Sequence, residues 1–267
     1  VSERILITGA GSGLGKAMAT RYAAAGWRVL VTDVDAVAAE TVAKELDADF
    51  LAIDVTDDAS WTAAREWCEE RWGGLDVLVN NAGVASGGRI EKIPMADWDW
   101  IWEINLKGVV RGCRTFVPLF KAQGSGHLVN IASLAGIMNL PGMASYNVTK
   151  AGVISLSQTL RYELEPNGIG ITVVCPAFVQ TNLNDSMRTP DPVALKVSKK
   201  LMAASKVTPE DVARQVFDAV ADERFLVHTH TDGKRAQFLK RFAPRLIDKQ
   251  VAKYWARMRP AMEKESP

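Results

Sequence analysis

Thr8-Gly9-Ala10-Gly11-Ser12-Gly13-Leu14-Gly15 is the stretch that decides the fold. It follows the apolar run Arg4-Ile5-Leu6-Ile7 and opens a segment, residues 14–25, that reads as a helix and ends just before Gly26. A glycine-rich turn between strand and helix lets a phosphate approach the helix N-terminus without meeting side chains. The spacing is T-G-x-x-x-G-x-G rather than G-x-G-x-x-G, and such a loop alone is also compatible with a plain turn. Its position between strand and helix favours dinucleotide binding, with Gly9, Ser12, Gly13, Leu14 and Gly15 as the cradle.

The rest of the chain repeats the alternation. Strands are expected at residues 5–8, 28–32, 50–53, 77–80, 127–132, 171–175 and 225–227. Several are apolar throughout, as strands covered on both faces of a parallel sheet are. Helices are expected at 61–71 and 146–165, with Gly168 past the end of the latter, and Thr208-Pro209-Glu210-Asp211 carries a cap residue and a first-turn proline. Together these predict an α/β fold: a single Rossmann-type doubly wound domain whose seven-stranded, mostly parallel sheet has helices on both faces. The catalytic domain is expected over residues 1–232. Within it, about 182–206 forms either a substrate-side lid or a poorly ordered loop. Residues 233–267 form a basic amphipathic helical tail.

Composition narrows the function classes. The 267 residues are 48% hydrophobic and 24% charged with a net charge of +1, a globular composition that gives no general attraction to nucleic acid. Cys68, Cys113 and Cys175 are scattered, with neither a disulfide framework nor metal-ligand spacing. His228 and His230 lack a third ligand nearby, so no metal is expected. The chain opens on a strand rather than a signal peptide, and no apolar run approaches about 20 residues, so a cytoplasmic location is expected.

The remaining candidates fall at the carboxyl ends of strands, where open α/β sheets bind ligands. Asp33 ends the second strand and is placed to accept both hydroxyls of an adenosine ribose while repelling a 2′-phosphate; this selects NAD over NADP. Asp54, next to Val55, either meets the adenine amino group or caps a loop. Asn80-Asn81-Ala82-Gly83 ends the fourth strand and Ser133 the fifth. Tyr146 and Lys150 lie one turn apart on one helix face.

In order and spacing these motifs resemble the short-chain dehydrogenase/reductase family, in its short single-domain branch, over roughly residues 4 to 230. The resemblance implies a hydride-transferring enzyme acting on CH–OH groups. Tyr146 would be the acid/base, Lys150 would contact the nicotinamide ribose and favour tyrosinate, and Ser133 would bind the substrate oxygen. Asn105 would anchor a water relay to Lys150. Asn81, Ala82, Gly83, Pro176, Val179 and Thr181 would lie along the cofactor. A free tyrosine titrates near 10, and bringing it to about 7 needs roughly 4 kcal/mol of differential stabilisation. One departure is Cys175-Pro176-Ala177, where the family commonly has Pro-Gly; the backbone there must tolerate a Cβ.

The segment from Leu134 to Met143, with Val84, Leu183, Met187, Leu201 and Met202, is expected to line an apolar pocket for a secondary alcohol or ketone. The expected partner is thus a small alcohol or carbonyl compound. A 3-oxoacyl- or hydroxysteroid-type reductase, a nucleotide-sugar epimerase or dehydratase, and a silent NAD-binding regulator are the competing readings. The complete Asn105, Ser133, Tyr146 and Lys150 set speaks against the regulator, and the short chain and glycine spacing against the epimerase. Trp98, Trp100 and Trp102 are expected to serve packing rather than ligand stacking. The resemblance implies a homodimer or homotetramer. In the tail, apolar residues recur at helical spacing from Phe238 to Met258, interrupted near Pro244, among nine basic residues and one acid between Lys234 and Arg259. Packing on a domain or subunit is favoured over contact with an anionic membrane.

Overall fold

A computed structural model of the chain describes residues 3–264. The strands are β1 (Arg4–Thr8), β2 (Arg28–Asp33), β3 (Asp49–Ala52), β4 (Val77–Asn80), β5 (Gly126–Ile131), β6 (Ile169–Cys175) and β7 (Leu226–His228). They form one sheet in the order β3-β2-β1-β4-β5-β6-β7, and every pairing among them is parallel. The expected "mostly parallel" sheet is therefore wholly parallel among the described strands. Along the chain the helices are α1 (Gly13–Ala24), α2 (Ala36–Leu46), α3 (Asp58–Trp72), α4 (Met95–Trp102), α5 (Gly108–Gln123), α6 (Ala135–Met138), α7 (Ala144–Leu164), α8 (Pro192–Ala203), α9 (Pro209–Ala221), α10 (Thr231–Phe242) and α11 (Pro244–Lys264).

The unbroken apolar strands follow from two covered faces. Ile5, Ile7, Val29, Val31, Val77 and Val79 pack with α1, α2 and α9 on one side of the sheet. Leu6, Leu30 and Leu78, the residues between them, pack with α3, α5 and α7 on the other. Within the strands, successive residues such as Ile5, Leu6 and Ile7 are all buried, which removes the alternation a half-exposed strand shows. Local signals set the helix ends. Gly26 takes φ +84° beyond α1, and Gly168 takes φ +69° after the short turn that follows α7. Thr208 and Asp211 form a reciprocal capping box, with Pro209 in the first turn of α9.

Three regions add to the sequence reading. Residues 182–206 are not irregular: a turn at Asn182–Asn184 leads into α8, which buries Val193 and Met202. Pro192 in its first turn and the apolar positions Val193, Val197, Leu201 and Met202 account for a helix there. A π-helical turn over Glu103–Lys107 joins α4 to α5 and was not anticipated. The break near Pro244 is present, since Pro244 begins α11. α10 packs on α6 and α11 on α8, while Phe238, Phe242 and Leu246 remain exposed.

The short α6 lies directly on the backbone of α7. A Cβ at Gly136 would stand 2.6 Å from both the amide nitrogen of Ala151 and the carbonyl carbon of Lys150. Backbone cannot rotate away as a side chain can, so Gly136→Ala is expected to destabilise the protein by about 2 kcal/mol. Urea denaturation checks this, with the midpoint lowered at constant m; a loss under about 0.5 kcal/mol contradicts the close contact.

Candidate active site

β1 and β4 are neighbours, but the chain leaves them in opposite directions, toward β2 and toward β5. The loops after the two strands diverge and leave a crevice at their carboxyl ends. Thr8 ties its floor. Its Oγ1 donates to the Val79 carbonyl at 3.2 Å and accepts from the N–H groups of Asn81 and Ala82, both at 3.0 Å. The Asn81 side-chain amide donates to the Thr8 carbonyl at 2.8 Å.

The glycine loop is shaped by close backbone approach. Gly9 takes φ +64°, and a Cβ on it would fall 2.9 Å from the Ala82 Cα. A Cβ on Gly15 would fall 2.2 Å from the Gly9 carbonyl oxygen. The loop thus presents the first turn of α1, with its unpaired N–H groups, and little side-chain bulk: a fit to a pyrophosphate. Asp33 accepts from the Gly11 N–H at 3.0 Å and the Asp35 N–H at 3.1 Å, which fixes its carboxylate at the rim of the loop. Asp54 accepts from the N–H and hydroxyl of Thr56, so it organises its own loop while lining the same crevice, as Val55 does.

Ser133, Tyr146 and Lys150 meet where β5 ends and α7 begins. The Tyr146 phenol is buried and hydrogen-bonded to Ser133; burial raises its pKa above the ordinary value, and the Ser133 contact pulls it part of the way back. Lys150 is buried as well, donates to the Ile131 carbonyl at 2.8 Å, and lies 5.8 Å from the Tyr146 ring centre. Burial lowers its ammonium to about 8, while nearby Cys175 pulls the other way. Asn105 sits in the π-helical turn, fully buried. Its amide oxygen accepts from the Val84 N–H at 2.8 Å and its amide nitrogen donates to the Val84 carbonyl at 2.9 Å. Gly83 is what lets Asn105 and Lys150 approach each other. A Cβ there would lie 3.2 Å from the Asn105 oxygen and 3.5 Å from Lys150 Nζ.

All eighteen candidate residues except Asn105 line one cavity of about 970 Å³. Gly9, Ser12, Gly13, Leu14, Gly15 and Asp33 line it together with Pro176, Val179 and Thr181. Val84, Leu183, Met187, Leu201 and Met202 line the same cavity. Ala177 needs no left-handed backbone, which is why a Cβ is tolerated where glycine was expected. His230, which sequence reasoning set aside, steadies this loop: the Ala177 N–H donates to its Nδ1 at 3.4 Å, and its Nε2 lies 3.2 Å from the Phe178 carbonyl. Asn182 was also missed. It donates from its amide nitrogen to the Ser12 hydroxyl at 3.0 Å, joining the two rims of the crevice. Trp100 lines the cavity with the Arg188 guanidinium 4.0 Å from its ring centre, because its position on α4 turns it away from the face shared by Trp98 and Trp102. From the tail, Tyr254, Met258 and Met262 join the lining.

A crevice of this kind, at a switch in strand order, is the architecture of nucleotide-dependent α/β enzymes. The family model described as short chain dehydrogenase matches residues 3–192. A protein of Lactiplantibacillus plantarum described as CLA biosynthesis dehydrogenase/reductase is 32% identical over 252 residues, 85% of this chain and 88% of that protein. The probable oxidoreductase EphD of Mycobacterium tuberculosis is 31% identical over 234 residues, 82% of this chain but 40% of that longer protein. A crystal structure of a short-chain dehydrogenase/reductase from Burkholderia phymatum in complex with NAD superposes with a TM-score of 0.86 at 32% identity, over 92% of this chain and 95% of that one. The chain belongs to the short-chain dehydrogenase/reductase family and is an oxidoreductase of it.

The buried lysine makes a prediction. Its folded pKa of about 8 lies below its ordinary 10.5. Between those values the unfolded chain binds the extra proton, so stability rises with pH through that window, and the cost of the buried charge is present in full below it. Lys150→Met is expected to raise the stability of the cofactor-free protein by about 2 kcal/mol at pH 7, with the gain shrinking toward pH 10.5, while kcat falls by about 100-fold or more. Paired urea melts at the two pH values check the first part; a variant less stable at pH 7 contradicts it.

Proposed function

We propose that the protein is an NAD-dependent oxidoreductase interconverting an apolar secondary alcohol and its ketone, with Tyr146 as general acid/base. One observation carries this reading: the Tyr146 phenol, bonded to Ser133 and close to Lys150, borders a cavity lined both by the phosphate cradle and by apolar side chains. The loop from Gly9 to Gly15 would hold NAD, which when bound would accept or supply the hydride. The chain's own residues manage the proton. In reduction Tyr146 gives its proton to the forming alkoxide, and burial keeps it protonated for that purpose. In oxidation the phenolate takes the alcohol's proton, and the Lys150 ammonium favours that anion. The Ser133 hydroxyl bonds the substrate oxygen and fixes it near the phenol. Asn105 and Lys150, both near Gly83, would anchor the water relay that returns the proton to solvent.

Tyr146→Phe keeps the ring and removes the proton. It is expected to lower kcat for reduction of an apolar ketone by at least about 1000-fold, with the NADH dissociation constant changed less than threefold. Turnover is read from NADH absorbance and binding from its fluorescence; near-wild-type turnover rejects the mechanism.

Asp33 supports the choice of cofactor. Near a protein surface, two like charges about 6 Å apart repel by roughly 2–3 kcal/mol. On one substrate, kcat/KM is therefore expected to favour NAD over NADP by at least about tenfold, and Asp33→Asn is expected to narrow that ratio. A wild-type preference for NADP rejects the assignment.

A further inference from the structure

Six of the chain's eight methionines line the cavity: Met138, Met143, Met187, Met202, Met258 and Met262. Of the others, Met18 is in the sheet core and Met95 is exposed. A methionine taken singly is most often a core residue, but a concentration of this kind in one cavity has a different meaning. Thioether side chains are unbranched and adapt to irregular or flexible apolar shapes. The charge pattern adds to this. Lys150 is the one basic residue among those lining the cavity, and it is engaged at the Tyr146 end. Asp33 and Asp54 lie at the cradle, and Glu103 at the rim is paired with Lys107 and Arg111. Among the described residues no other cation lines the cavity to receive a carboxylate or phosphate.

Part of the wall of the cavity is built by the tail. Tyr254, Met258 and Met262 recur one turn apart on α11, so they share a face, and all three line the cavity that Tyr146 borders. Met262 is 2% exposed although Ala261 and Glu263 beside it are exposed. It lies against Gly142, where φ is +79° and a Cβ would sit 3.5 Å from the Met262 methyl carbon and 3.8 Å from the Trp255 ring. The tail is also tied to the segment between Ser133 and Tyr146, because the Lys240 ammonium donates to the Ile137 carbonyl. Hydrogen bonding, helix packing and side-chain burial thus all place the tail over the cavity of its own chain.

We infer that α11 is the size filter of the substrate cavity, with Met258 and Met262 forming an intramolecular wall that selects uncharged ketones and secondary alcohols bearing a flexible, extended apolar chain. The inference rests on the oxidoreductase reading for the word substrate, but the wall itself is a matter of binding. Each methylene buried between Leu201, Met202 and the α11 methionines contributes about 0.8 kcal/mol, or about fourfold in kcat/KM. Selectivity therefore climbs with chain length until the chain meets α11.

The test uses the full chain and methyl ketones from 2-butanone to 2-dodecanone, read by kcat/KM with NADH. Wild type is expected to rise several-fold per added methylene up to a limiting length. Met258→Trp fills the wall. It is expected to lower kcat/KM for 2-octanone by at least tenfold while 2-butanone changes less than twofold. Met258→Ala opens the wall and is expected to move the limiting length upward. Calorimetric titration of 2-octanone into each variant supplies a readout independent of turnover. If no ketone is reduced but 2-octanone binds and Met258→Trp weakens that binding at least tenfold, the oxidoreductase reading falls and the wall stands. Equal losses for long and short ketones, or a limiting length and a 2-octanone affinity unaltered in both variants, overturn the inference.

Discussion

The Thr8 hydroxyl holds together the point on which the rest depends. A parallel sheet gains a ligand crevice only where two adjacent strands send their chains in opposite directions. At that point the two strand ends lose the ladder that would pair them. Thr8 replaces it, with its one hydrogen donated to Val79 and both lone pairs taken by the N–H groups of Asn81 and Ala82. The hydroxyl's bonding capacity is used completely, and the residue is buried. The glycine loop then starts from a fixed anchor, and so does the segment through Gly83 that brings Asn105 near Lys150. The cofactor end and the proton-handling end share this one origin, which is how loops distant in sequence keep a common geometry.

The site works against the stability of the fold that carries it. Burial pushes both side chains toward their neutral forms, the tyrosine upward in pKa and the lysine downward to about 8. The proposed chemistry asks for the opposite in oxidation: an ammonium beside a phenolate. Placing two charges in a poorly screened cavity strengthens their mutual attraction while adding a desolvation cost. The oxidised cofactor would bring a positive ring to the same place and favour the phenolate further. Without it, the pair rests in the protonated-tyrosine state suited to reduction. Active residues are commonly arranged so, at some cost in folding free energy.

Much of this was legible in the chain because the signals are local. Asp33 was found by its distance from the glycine loop, and Tyr146 and Lys150 by helical spacing. The sheet was legible because burial on both faces removes alternation, which Ile5, Leu6 and Ile7 display. What escaped depends on contacts between distant segments. Trp100 belongs to a cluster whose pattern suits core packing, and only the approach of Arg188 and the cavity sets it apart. His230 looked like an idle histidine because its partners, Ala177 and Phe178, lie over fifty residues away. The π-helical turn at Asn105 leaves no periodicity of its own in five residues. The tail's apolar stripe was visible, but a stripe states only that something covers it.

That last ambiguity resolves through the placement of individual residues along the tail. Ile247 and Met262 are buried, and Tyr254 and Met258 face the cavity, so the inner stripe is satisfied within the chain. The outer stripe of Phe238, Phe242 and Leu246 is a separate surface, and the two should not be assigned one role. The inner stripe changes the physics of the site as well as its size. Apolar side chains that take the place of water in the cavity Tyr146 borders lower the local dielectric response and strengthen the Lys150 field on the phenol. Under the proposed mechanism, a helix that bounds the substrate would thereby aid the proton transfer without touching it.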